Sequence, residues 1–174
     1  MRKRFVIYFL FILLPIAAIS QETKVQLTKK VSISFPGKPD VQNMEKGSSL
    51  YVVKLADGTA NFNVVVQNLL EIGQTAKQIK SQQLSPSFWE QMEPFLLAPY
   101  GTKTKVLARD IRKIGNKEVL SLVFSAVING SNREINSYFF IEGVNSINIV
   151  HYKRAENASV ELKNNFFNSI KILD

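Results

Sequence analysis

Few residues in this chain can do chemistry. One histidine, His151, stands in "NIVHYKRA", and there is no cysteine. Nucleophilic catalysis needs a base within reach of a hydroxyl or thiol. His151 could be that base in an extracytoplasmic hydrolase, but no G-x-S-x-G elbow exists for it to serve. On a strand it shares a face with Ile147, Ile149 and Lys153, opposite Tyr152 and Arg154, so a packed or rim histidine is the plainer reading. Zinc needs three or four nitrogen or sulfur donors, and this chain offers a single imidazole. Asp57, Asn61 and Asn63 have calcium-loop spacing, yet position six would be Phe62 and position twelve Asn68, where glycine and glutamate are required. "SISFPGKPD", from Ser32 to Asp40, lacks the G-x-x-x-x-G-K-[ST] pattern opening a helix, so it reads as a strand end with Pro36-Gly37 in a type II turn. No catalytic residue, metal or cofactor is assigned.

Binding candidates are more numerous. Lys103, Lys105, Arg109, Arg112, Lys113 and Lys117 form the densest charge in the chain. They could dock an anionic polymer, or they could guard an edge strand against aggregation. Phe88, Trp89, Phe95 and Tyr100 could form a docking surface, although aromatics at helical spacing usually serve a core; Trp89 sits angularly off the stripe. Asn129-Gly130-Ser131 and Asn157-Ala158-Ser159 match the glycosylation pattern, which matters only in a glycosylating host.

The N-terminus sets the compartment. Arg2, Lys3 and Arg4 precede an apolar run from Phe5 to Leu14, Pro15 breaks it, and Ala18 and Ser20 place small residues before Gln21. That is the pattern of a signal peptide over 1–20, cleaved between Ser20 and Gln21. The apolar run is about half of what a membrane-spanning helix needs, and without cysteine there is no lipid anchor. The expected product is secreted or periplasmic, with no stable membrane anchor after cleavage. Of 22 cations, three lie in the leader, leaving 19 against 14 acids, a net +5. Such an excess suits an envelope protein or an anionic polymer as partner, and nucleic acid is not expected outside the cytoplasm. Residues 21–174 are expected to form one monomeric domain, large enough to need no disulfide.

The elements follow from periodicity. Val25, Leu27, Val31, Ile33 and Phe35 alternate with polar neighbours, and the misfit Lys29 implies a bulge or two shorter strands. Tyr51, Val53 and Leu55, then Phe62, Val64 and Val66, flank Asp57-Gly58, the pattern of a type I′ hairpin. A thin helical stripe, Ala76 and Ile79, precedes a second helix with Ser87 and Glu90 as its capping box. In that helix Phe88, Met92, Phe95 and Leu96 share one face, and Pro94 predicts a kink or stop. Four strands follow. "EVLSLVFSAVI" is apolar on both faces, Val119, Val123 and Val127 on one and Leu120 to Ile128 on the other, which places it mid-sheet under cover from both sides. Leu162, Phe166, Ile170 and Leu173 mark a closing helix capped at Asn157 or Ser159. The order βββ-α-ββββ-α predicts an α+β fold: an antiparallel sheet of six to seven strands covered by helices in an α/β/α sandwich.

The "FPGKP" strand end, the "RKIGNKEVLSLVF" stretch and the terminal "NNFFNSIKIL" resemble the PsbP-like superfamily, the bacterial secreted PsbP/DcrB-like domain. The resemblance implies an antiparallel sheet between helices. It also implies a non-catalytic, extracytoplasmic binding or assembly module.

Overall fold

The computed structural model describes residues 22–85 and 87–173; the expected leader and the Ser20–Gln21 cleavage point lie outside them. The strands are β1 (Thr23–Gln26), β2 (Val31–Phe35), β3 (Asp40–Met44), β4 (Ser48–Lys54), β5 (Ala60–Asn68), β6 (Lys105–Ile114), β7 (Lys117–Ile128), β8 (Ser131–Glu142), β9 (Asn145–Lys153) and β10 (Lys171–Ile172). The helices are α1 (Ala76–Gln83), α2 (Phe88–Leu97) and α3 (Val160–Asn168), with a 3-10 turn at Ala98–Tyr100. Seven strands form an antiparallel sheet in the order β3-β4-β5-β9-β8-β7-β6, and β1-β2-β10 form a second, small one. The seam between β5 and β9 joins the N-terminal hairpins to the C-terminal meander, with Val64 opposite Ile149.

Alternation along the strands divides the large sheet into two faces. On one, Ala60, Phe62, Val64 and Val66 of β5 meet Phe140, Ile147 and Ile149, under Ile33 and Phe35 of the small sheet and Phe166 and Phe167 of α3. On the other, Leu120, Leu122, Phe124, Ala126, Ile135 and Val150 lie under Trp89, Leu96, Leu97 and Tyr100. Ile79 of α1 and Phe88 of α2 close a third cluster over Phe139 and Ile141. The class is therefore α+β in three layers, as the pattern predicts, but one cover is half β: the small sheet stands beside α3.

Of the two outcomes expected at Lys29, residues 24–35 form two strands, because Thr28 Oγ1 accepts the Lys30 and Val31 amides and turns the chain there. Several other local expectations need correction. Gly37 takes φ +151°, far from the value of about +80° in a type II turn, so this link is an open bend. Asp57 is not at positive φ; Gly58 N–H donates to Leu55 C=O at 2.9 Å, and Asp57 accepts both the amide and hydroxyl of Thr59. The pairs with both φ positive are instead Lys46-Gly47 (56° and 67°), between β3 and β4, and Asn129-Gly130 (51° and 75°), between β7 and β8. The capping box belongs to α1, where Thr75 accepts the Gln78 amide and Gln78 accepts that of Thr75; Ser87 makes no side-chain cap. Pro94 does not stop α2, which runs on to Leu97. Phe95 is 72% exposed, whereas Trp89, expected off the stripe, packs against two clusters. Strand β7 lies next to the edge strand β6, and its Val127 is exposed while Val119 through Leu122 are buried. The closing helix stops at Asn168, and Leu173 follows β10 in the open.

Candidate functional site

His151 sits on β9 with Phe62 of β5 on one side and Asn136 of β8 on the other. It is 3% exposed, its ring centroid 5.0 Å from that of Phe62. Burial, and secondarily the Lys163 ammonium, push its pKa down to about 4, against the pull of Glu134. It borders a cavity of about 210 Å³ with Glu134, Ser159 and Lys163. Among the described residues, neither ring nitrogen has a hydrogen-bond partner. The hydroxyl-to-imidazole contact a hydrolase would use is not assembled.

The predicted cationic strand is β6, the free edge of the large sheet. Its register shifts between Val106 and Ala108, a bulge that with the charges discourages pairing to another chain. Half of the run is tied down. Arg109 Nε lies 2.7 Å from Glu93 of α2, and Arg112 holds Asp110 at 3.0 Å and the Tyr138 hydroxyl at 2.8 Å. Lys117 Nζ lies 2.8 Å from Glu142 Oε2. Lys103, Lys105 and Lys113 stay exposed. Trp89 donates Nε1 to Glu118 at 3.3 Å and packs on Phe88, so it pins α2 to the sheet rather than offering a docking ring.

Tyr100 leads to a region the sequence did not single out. Its ring packs on Phe124 at 4.8 Å and its hydroxyl bonds that of Tyr152 at 2.8 Å. Burial raises the pKa of both phenols above the ordinary tyrosine value, that of Tyr100 furthest, keeping them neutral. Tyr152 is the inner wall of a cleft of about 290 Å³, lined also by Lys54, Asn61, Asn63, Ile128, Arg133 and Arg154. The register builds this cleft: Lys54 lies opposite Asn61, Asn61 opposite Tyr152, and Tyr152 opposite Ile135. Arg133 donates Nη1 to the Arg154 carbonyl. The Oδ1 atoms of Asn61 and Asn63 are buried and, among the described residues, accept from nothing.

The cleft lies on the face that α1, α2 and the 3-10 turn cover over β7, β8 and part of β9. Toward β4, Leu50, Val52 and Val65 are half-buried and belong to none of the three core clusters. Of the sequence candidates, only Tyr100 adjoins the cleft. His151 lies on the opposite face, and the β6 cations lie at the far edge. The signal that could have found it is Asn61 and Asn63 on a strand flanked on both sides, where apolar residues are expected.

No protein-family model matches the chain, and no curated protein sequence matches it. Among solved structures, cyanobacterial PsbP (CyanoP) from Synechocystis aligns over 90% of this chain and 95% of its own, with TM-score 0.57 and 12% identity. A protein from Bacteroides thetaiotaomicron aligns over 83% of this chain and 45% of its own, at 0.48 and 11%. LpqN, involved in cell envelope biogenesis of Mycobacterium tuberculosis, covers 88% and 91%, at 0.43 and 12%. The CyanoP likeness covers nearly all of the chain, and in fold this chain is PsbP-like.

Proposed function

We propose that the protein is an exported, non-catalytic binding module of the cell envelope that holds its ligand on the uncovered half of its large sheet. The observation carrying this reading is the unequal cover: β5 is buried on the α3 side and half-exposed on the other, with Asn61, Asn63 and Val65 presented outward. A cleft with convergent polar groups beside such a surface is where a ligand site is expected. The leader pattern supports export, and among the described residues no helix is long and apolar enough to cross a membrane. A hydrolase using His151 has less support, since among the described residues neither nitrogen of that imidazole has a hydrogen-bond partner. Polymer binding through β6 is weakened by the carboxylates already paired with Arg109, Arg112 and Lys117.

The test is retention of the exported chain on washed cell envelopes. Asn61→Trp fills the cleft whatever the ligand, and is expected to reduce retention about tenfold or more, as loss of a central contact does. The pair Lys105→Glu and Lys113→Glu leaves retention within about twofold, because exposed charges are screened. Full retention by Asn61→Trp, or loss in the lysine pair, would transfer the role away from the open half.

A further inference from the structure

The chemistry of the cleft restricts what can fill it. Three cations line it, Lys54, Arg133 and Arg154, and no carboxylate does. Among the described residues none of the three takes part in an ion pair. Arg133 lies two residues before Ile135 and Arg154 two after its partner Tyr152, so the two arginines face each other across the end of the β8–β9 pair. Like charges placed opposite one another repel, and an anion between them reverses the sign of that interaction. Deeper in the cleft the requirement changes. The buried Oδ1 atoms of Asn61 and Asn63 are acceptors without donors, which an anion leaves unsatisfied and a hydroxyl group satisfies. Tyr152 and Ile128 supply a flat apolar wall between the two zones.

Resting on the reading of the open half as a binding surface, we infer that the cleft takes an anionic polyol. A phosphate or carboxylate sits among Lys54, Arg133 and Arg154, and the hydroxyls of the carbon chain that carries it donate to Asn61 and Asn63. A volume of about 290 Å³ matches the small end of ligand pockets, a monosaccharide or glycerol unit rather than a polymer segment. A neutral sugar leaves the cations facing one another; an inorganic anion leaves the two buried Oδ1 atoms without a donor. Only a ligand with both parts answers both.

Calorimetric titration of the exported chain tests this with sn-glycerol 3-phosphate and glucuronate, against glycerol, glucose and inorganic phosphate. At least one anionic polyol is expected to bind about tenfold or more tighter than any of the three controls, and more weakly as salt rises. Which of the two binds better separates a phosphate source from a carboxylate source. Lys54→Gln lies on the exposed end of β4, where folding does not depend on it, and is expected to lower affinity several-fold; Arg154→Gln is expected to lower it further. Asn63→Leu weakens the anionic polyol without weakening inorganic phosphate. Equal binding of glycerol or glucose, equal binding of inorganic phosphate, or no saturation by either anionic polyol up to about 10 mM would overturn the proposal. If Asn61→Trp abolishes envelope retention while neither anionic polyol binds, the open half remains the binding surface and this ligand class is wrong. If the polyols bind and Asn61→Trp keeps full retention, the ligand class stands and the envelope role falls.

Discussion

One strand carries both faces of this molecule. On β5, Ala60, Phe62, Val64 and Val66 are sealed beneath the small sheet and α3, while Asn61, Asn63 and Val65 between them are half in water. The backbone ladder is common to both, so the difference lies in what covers each face. The closed face carries the fold; the open one is the surface proposed for binding. A truncation on the closed side is expected to remove a large share of the stability, and one on the open side to leave stability nearly intact. Phe62 is fully buried against His151 and Phe166, so Phe62→Ala should cost about 3–5 kcal/mol. Val65→Ala, half-exposed and outside the core clusters, should cost about 1 kcal/mol or less. Urea midpoints at constant slope measure both. Equal losses would mean that the open face is core after all.

His151 gives the closed face a pH dependence on the acid side. In an unfolded chain its imidazole titrates at about 6.5; in the fold, burial first and Lys163 second lower that to about 4, with Glu134 opposing. Between those values the unfolded chain takes a proton that the folded one refuses, so stability is fully present above pH 6.5 and drains as the pH falls toward 4. The contribution is on the order of 3 kcal/mol. His151→Leu removes it, while the titrating carboxylates remain common to both proteins. Parent and variant midpoints compared at pH 7 and pH 4.5 should diverge, the parent losing more. Parallel losses would show that the imidazole is not held neutral by its surroundings.

The closed face was legible in sequence because burial writes itself as alternation: every buried residue of β5 falls at the period-two positions that the pattern predicts. Strand β3 was not legible, since all five of its residues are exposed and carry no apolar period. The phase of α2 was misread for a related reason. Phe88, Trp89, Met92 and Leu96 contact the sheet, and Phe95, equally apolar, points to water. Hydropathy alone cannot choose between two apolar stripes one residue apart. The cleft was hidden more deeply, because Lys54, Asn61, Arg133 and Arg154 come from separate strands and meet only through the register of β4, β5, β9 and β8. Nothing local in any of those strands says that its neighbour will also present a cation or an amide.

The smallest effect concerns how the helical cover ends beside the open half. Helix α1 has eight residues, too short to persist in water by itself, so it depends on its cap and on one anchor, the buried Ile79. Ile79 shares a cluster with Phe139, which pairs with Asn148, which in turn pairs with Val65 of the open half. Thr75 Oγ1 accepts the Gln78 amide at 3.2 Å and Gln78 Oε1 accepts that of Thr75 at 2.8 Å, satisfying two N–H groups that the helix leaves free. Thr75→Ala should therefore cost about 1 kcal/mol. Ser87→Ala should cost no more than a few tenths, because the Ser87 hydroxyl caps nothing at α2 and bonds the Ser85 hydroxyl and the Gln91 side chain near the surface. Hydrogen exchange localises the effect: Thr75→Ala should speed exchange at Ile79 to Gln83 and leave Val64 on the closed face unchanged. Were Val64 to exchange faster as well, the two faces would be unfolding together, and the division of labour between them would not hold.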